Sequence, residues 1–167
     1  MRGMVKTKTL VKVILIGVIE MSNRMGAQAL YDWLQAIGER LGEMEGKGME
    51  GVKCGDLHYE PLCPLATLLD IEHYYDVLPK SADEYPICKI DRGADKPACA
   101  DIICIIHHAY LRKRAELAGK KFFHLAAKSP TTGEIVFNEE AIKAVGKNKD
   151  EIKALMEEKA VCVFMYK

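Results

Sequence analysis

Three of the six cysteines and two of the five histidines fall in the 21 residues from Cys88 to His108, within ICKIDRGADKPACADIICIIHH starting at Ile87. Thiolate sulfur and imidazole nitrogen are the donors zinc prefers, and a zinc site takes three or four of them from the protein. Cys104 and His108 are four residues apart, so on a helix they project from one face, with His107 beside them. Upstream, Cys54, His58 and Cys63 in CGDLHYEPLC have three and four residues between them, a spacing suited to a metal-binding loop. Together with Cys88 and Cys99 these residues form the candidate metal set, with zinc the expected ion and an iron–sulfur cluster the weaker alternative. Pairs at C-x2-C zinc-ribbon spacing are absent. The competing reading is packing, because free cysteine is among the most buried residue types and a histidine pair in mid-helix is often satisfied core. A redox thiol or a disulfide is the third reading, and a nucleophilic thiolate would need a histidine base. Cys63 near His58 and Cys104 near His107 are the sequence-local candidates for that.

The central segment must be positioned by its neighbours. Ile87 to Arg92 reads as extended, Asp91 to Pro97 as a turn, and a helix follows Pro97 with Asp101 in its first turn and Gly119 as its stop. Cys99, Ile102, Ile103, Ile106, Tyr110 and Leu117 share the face expected to point into the core. Before it, residues 8 to 20 read as a buried helix or strand. An amphipathic helix capped by Ser22 or Asn23 then carries Ala27, Leu30, Leu34, Ile37 and Leu41 inward. Gly42 to Gly55 is a glycine-rich loop or hairpin, and Pro64 opens a further helix, PLATLLDIEHYYDVL. Trp33, Tyr74, Tyr110 and Phe123 are the aromatic candidates for a ligand pocket, with packing the first reading for Trp33 and Tyr74.

Downstream, Lys121 to Ala127 and Glu134 to Phe137 are expected to form a hairpin about the turn Ser129-Pro130-Thr131-Thr132-Gly133. Asn138 caps a helix stopped by Gly146, Asp150 caps another, and Ala160 to Tyr166 is a closing strand that puts Cys162 in the sheet. Helices and antiparallel strands mix without regular βαβ alternation, so the fold class is α+β: an antiparallel sheet with helices packed on it.

A chain of 167 residues is read as one domain and buries roughly 70% of its unfolded surface, so it needs no disulfide staples. With 24 basic and 24 acidic residues the net charge is zero, against a nucleic-acid or anionic-membrane partner. The apolar run VILIGVI is far short of the roughly 20 residues that span a bilayer, and Glu20 follows it with no small-residue cleavage site. A cytoplasmic protein is expected. Two glutamines and three asparagines beside abundant Lys, Glu and Ile give a thermophile-like balance, and intracellular disulfides do occur in hyperthermophiles.

NRMGAQALYDW, then ICKIDRGADKPAC, then a helix leading into AGKKFFHLAAKSPTTGEIVF resembles the vinyl-4-reductase, or hydrocarbon-binding, domain family. The likeness covers roughly residues 15 to 137 and is strongest over 86 to 137, leaving residues 138 to 167 as a C-terminal helix-strand extension. It implies a fold similar to the small TRAPP vesicle-tethering subunits, a pocket for a small apolar or aromatic molecule, and a homodimer. Zinc-binding members carry a cysteine before the central helix, then an acidic residue and two cysteines around the hairpin. Cys99 or Cys104 matches the first, but Ala126, Ser129 and Phe137 stand where the others would be, so that pattern is not intact here. The expected function is binding or sensing of a small apolar molecule, the alternative a metal- or thiol-dependent enzyme.

Overall fold

A computed structural model describes residues 13, 16–17, 20–21, 23–46, 48–49, 51–63, 93–99, 101–129 and 133–167. The helix expected from Pro64, with His73 and Tyr74, the extended stretch before Gly93, with Cys88, and the hairpin tip at 130–132 lie outside the described residues.

In chain order the elements are α1 (Ala27–Glu45), β1 (Leu57–Glu60), α2 (Ile102–Leu117), β2 (Phe122–Lys128), β3 (Ile135–Phe137), α3 (Glu139–Val145), α4 (Lys149–Glu158) and β4 (Cys162–Tyr166). The four strands form one sheet in the order β1-β4-β2-β3, every neighbouring pair antiparallel, which makes the class α+β.

The strands follow from alternating residues with apolar or aromatic side chains on both faces. Leu125, Ala126, Val163 and Met165 pack on one face against Ala141, Ile142, Val145, Ile152 and Met156 of α3 and α4. Phe122, Cys162, Phe164 and Tyr166 face the other way, against Leu111 and Ala115 of α2. A register shift between His124 and Ala126 adds one residue to β2. That bulge lets the consecutive Leu125 and Ala126 enter one core while His124 and Ala127 stay on the α2 side. Leu125 and Ile152 are fully buried, each worth about 1.5–3 kcal/mol relative to exposure.

Helix α1 packs on α2 through two glycines. A Cβ on Gly38 would lie 2.7 Å from Ala109 Cβ, and one on Gly42 would lie 2.9 Å from the Tyr110 carbonyl oxygen. The buried face of α1 is therefore Leu30, Tyr31, Leu34, Gly38 and Gly42. Leu41, expected inside, is exposed because glycine, not leucine, is what the close approach admits. Asn23 lies within a helical turn rather than capping one, and α1 starts after Gly26, whose φ of 86° breaks the preceding turn.

Other expectations shift likewise. The helical positions Val13 and Ile16 are exposed, not buried. The stretch expected to be a metal loop contains β1. Asn148, not Asp150, caps α4, its side chain accepting from the Asp150 N–H. No helix among the described residues is long and apolar enough to cross a membrane.

Candidate functional site: a polar layer between α2 and the sheet

Residues paired across antiparallel strands share a face. The register His58 to Phe164 to His124, and Glu60 to Cys162 to Ala127, therefore lines up two histidines, a carboxylate and a thiol on the side of the sheet that faces α2. Helix α2 answers with Cys104, His107 and His108, all buried. Its first half is buried almost all round, with α1 packed on one side and the sheet on the other, so Cys104, His107 and His108 have no solvent-facing position there. Asp101 caps it, its Oδ1 accepting from the Ile103 N–H.

His124 is fixed at both nitrogens. Its Nδ1 accepts the Ala98 N–H at 3.1 Å, so Nε2 carries the proton and donates to Cys162 Sγ at 3.0 Å. Burial lowers the imidazole from 6.5 to about 3 and pushes the Cys162 thiol well up, so both are neutral. The loop that supplies Ala98 is held by Asn138, whose Nδ2 donates to the carbonyls of Gly93 at 3.0 Å and Lys96 at 2.9 Å. The same side chain caps α3, accepting from the Ala141 N–H through Oδ1.

Glu60 Oε1 lies 3.6 Å from His107 Nε2. That is ion-pair range, yet burial pushes the carboxyl up to about 7 and the imidazole down to about 4. Between those values both groups are neutral, so the contact is not an ion pair at neutral pH. Glu60 Oε2 is buried without a hydrogen-bond partner among the described residues.

His108 is 2% exposed, and among the described residues neither of its ring nitrogens has a hydrogen-bond partner. Its ring lies 5.4 Å from Phe122 and 6.1 Å from His124, centroid to centroid. Burial, then the neighbouring His124 and Arg112, hold it neutral.

Cys99 and Cys104 pack with Ala98 and Ala127 at one end of the layer. Their thiols hydrogen-bond to one another. That bond lowers Cys99, to which Ser129 also bonds, and holds Cys104 protonated as the donor.

Several described members of the expected metal set lie apart. Cys54 is exposed; His58 is held by the Lys53 carbonyl at 2.9 Å and stacks on Phe164. Cys104 finds Cys99 rather than a histidine, while His107 turns to Glu60 and the ring of Tyr110. Among the described residues no three His, Cys, Asp or Glu side chains converge to hold a metal ion. Cys54, Cys99, Cys104 and Cys162 are thiols.

Of the expected pocket aromatics, the described Trp33, Tyr110 and Phe123 do not meet. Trp33 is 41% exposed on α1, and Phe123 packs on the α3 and α4 side, because strand alternation turns Phe122 inward instead. Tyr110 donates to the Glu45 carboxylate and accepts from Arg114. The sequence reading missed Glu60 and His124. Two-residue alternation in FFHLAAK placed His124 with Phe122, a signal visible once that strand is drawn. Glu60 carries no such signal, because its strand is only four residues long and is flanked by glycine and proline.

Comparison with known protein families, with curated proteins and with solved structures gave no match for this chain.

Proposed function

We propose that this protein binds or senses a small, largely apolar molecule between α2 and the sheet, with His108 as its polar anchor. The observation that carries the reading is the buried imidazole, both of whose nitrogens are unpaired among the described residues. Leaving a buried polar group unsatisfied costs about 1–3 kcal/mol, a cost a ligand hydrogen bond would offset. Phe122 and the neutral ring of His124 beside it suit an apolar or aromatic body.

A thiol enzyme is the weaker reading. A base must accept the thiol proton, but Nε2 of His124 already carries a proton and Nδ1 is engaged by Ala98. Cys162 thus acts as an acceptor and has no general base in His124.

The test is native purification followed by solvent extraction and mass spectrometry, with displacement of an apolar fluorescent dye. His108→Phe removes both unpaired nitrogens at similar volume. It should fold at least as stably as the parent and lose retention of the extracted compound. An empty protein that binds no apolar dye, or a variant that retains the compound unchanged, would overturn the proposal.

A further inference from the structure

We infer that Cys99 and Cys104 form a redox pair that a peroxide closes to a disulfide, with Cys99 the sulfur oxidised first. The inference is independent of the binding reading.

The two thiols meet at the start of α2. Asp101 caps that helix, its carbonyl accepting from the Ile105 N–H at 2.9 Å, so Cys99 lies two residues before the cap and Cys104 in the first turn. They pack in one cluster with Ala98, Ala127 and the partly buried Val136, and they hydrogen-bond to one another as thiols. A disulfide holds its sulfurs at about 2.05 Å, which two sulfurs already in contact reach by turning their side chains. Cys99 lies outside the helical ladder, so any further adjustment falls on loop backbone.

Three donors converge on Cys99 Sγ: the Cys104 thiol, the Asp101 N–H and the Ser129 hydroxyl. Ser129 is itself fixed after β2, its N–H donating to the Glu134 carbonyl at 2.8 Å and its carbonyl accepting from the Gly133 N–H at 2.9 Å. Hydrogen bonds of this kind favour the thiolate, the nucleophilic form; the Cys104 bond contributes most, and together they outweigh burial and the Asp101 carboxylate. Cys162, held by the His124 N–H, stays a thiol. Cys99 is 6% and Cys104 8% exposed, which admits hydrogen peroxide, little larger than water, better than an alkylating reagent.

The Cys99 sulfur attacks one peroxide oxygen and the O–O bond breaks. The departing hydroxide takes the proton that Cys99 gave up, leaving water and a sulfenic acid. The Cys104 sulfur then displaces the sulfenic oxygen, which leaves as water with the Cys104 proton as the S–S bond forms. Two thiols lose one electron each, and the peroxide gains two.

The test treats the reduced protein with equimolar hydrogen peroxide, blocks remaining thiols with N-ethylmaleimide in urea and maps tryptic peptides by mass spectrometry. Both cysteines fall in peptide 93–112, because Lys96 precedes proline and is not cleaved. That peptide should become two hydrogens lighter and unblocked, and dithiothreitol should restore it, while Cys54 and Cys162 remain blocked. In Cys104→Ser, Cys99 should stop at the sulfenic acid and take a dimedone adduct; in Cys99→Ser, Cys104 should stay reduced. A peptide 93–112 that stays reduced in the parent protein would overturn the inference. So would a bridge from either sulfur to another cysteine, or dimedone on Cys104 with Cys99 intact.

Discussion

His124 Nε2 stands 3.0 Å from Cys162 Sγ while its Nδ1 receives the Ala98 N–H. One backbone amide thereby chooses the tautomer of a buried histidine, and the tautomer decides that the thiol is hydrogen-bonded but not activated. The pair holds β2 to β4 beside the bulge and leaves the chemistry of the layer to residues other than the most conspicuous Cys–His couple.

Thiol reactivity should follow from this. Under mild iodoacetamide at pH 7.5, Cys54 should alkylate first because it is exposed, and Cys162 should resist until the protein unfolds. Peptide mapping by mass spectrometry over time reads both. Alkylation of Cys162 at a rate comparable to Cys54 in the folded protein would mean that His124 does act as its base.

Asn138 separates capping from anchoring. Asn138→Asp keeps the oxygen that caps α3 but loses the two donors to Gly93 and Lys96, leaving two carbonyls facing a carboxylate. A loss of about 2 kcal/mol is expected in urea unfolding, with Asn138→Ala costing more because the cap goes too. If the aspartate variant is as stable as the parent, the anchor contributes nothing.

The fold was legible where signals were local. Asn138 and Gly146 bound α3 as their types require, and FFHLAAK and CVFMY are strands because alternation and β-branched or aromatic content agree. What failed depended on contacts distant in sequence. The stripe on α1 rotated onto Gly38 and Gly42 because α2, some seventy residues on, approaches there. The site failed for a related reason. Spacing puts Cys104 and His108 on one helical face, but the partners of that face come from β1, β2 and β4, and pairing register sorts them.

Gly38→Ala tests that close approach. The new methyl would overlap Ala109 and the Ile106 carbonyl, backbone and core that cannot swing aside. Overpacking of this kind costs about 1–3 kcal/mol, which outweighs the roughly 1 kcal/mol gained by replacing glycine with alanine in a helix. Thermal unfolding should show a net drop in Tm. A rise would mean that α1 and α2 separate easily.

The polar layer should also set the pH dependence of stability. His107 and His124 fall from 6.5 to about 4 and about 3 on folding, and His108 falls as well, all chiefly by burial. Below pH 6.5 the unfolded chain gains protons that the folded one refuses, so stability should decline from there toward pH 4. Glu60 acts in the opposite sense: its carboxyl rises from 4.5 to about 7, so its contribution is full below 4.5 and lost as pH climbs through 7. Between 4.5 and 6.5 three histidines oppose one carboxyl, and the net slope should favour higher pH. Glu60→Gln isolates the acid. At pH 8 it should stabilise the protein by about 2 kcal/mol, allowing for partial exposure of the side chain, and at pH 4 it should have almost no effect. Urea titrations of both proteins across that range read the difference. A stabilisation that is the same at pH 4 and pH 8 would place the effect in packing rather than in the buried charge.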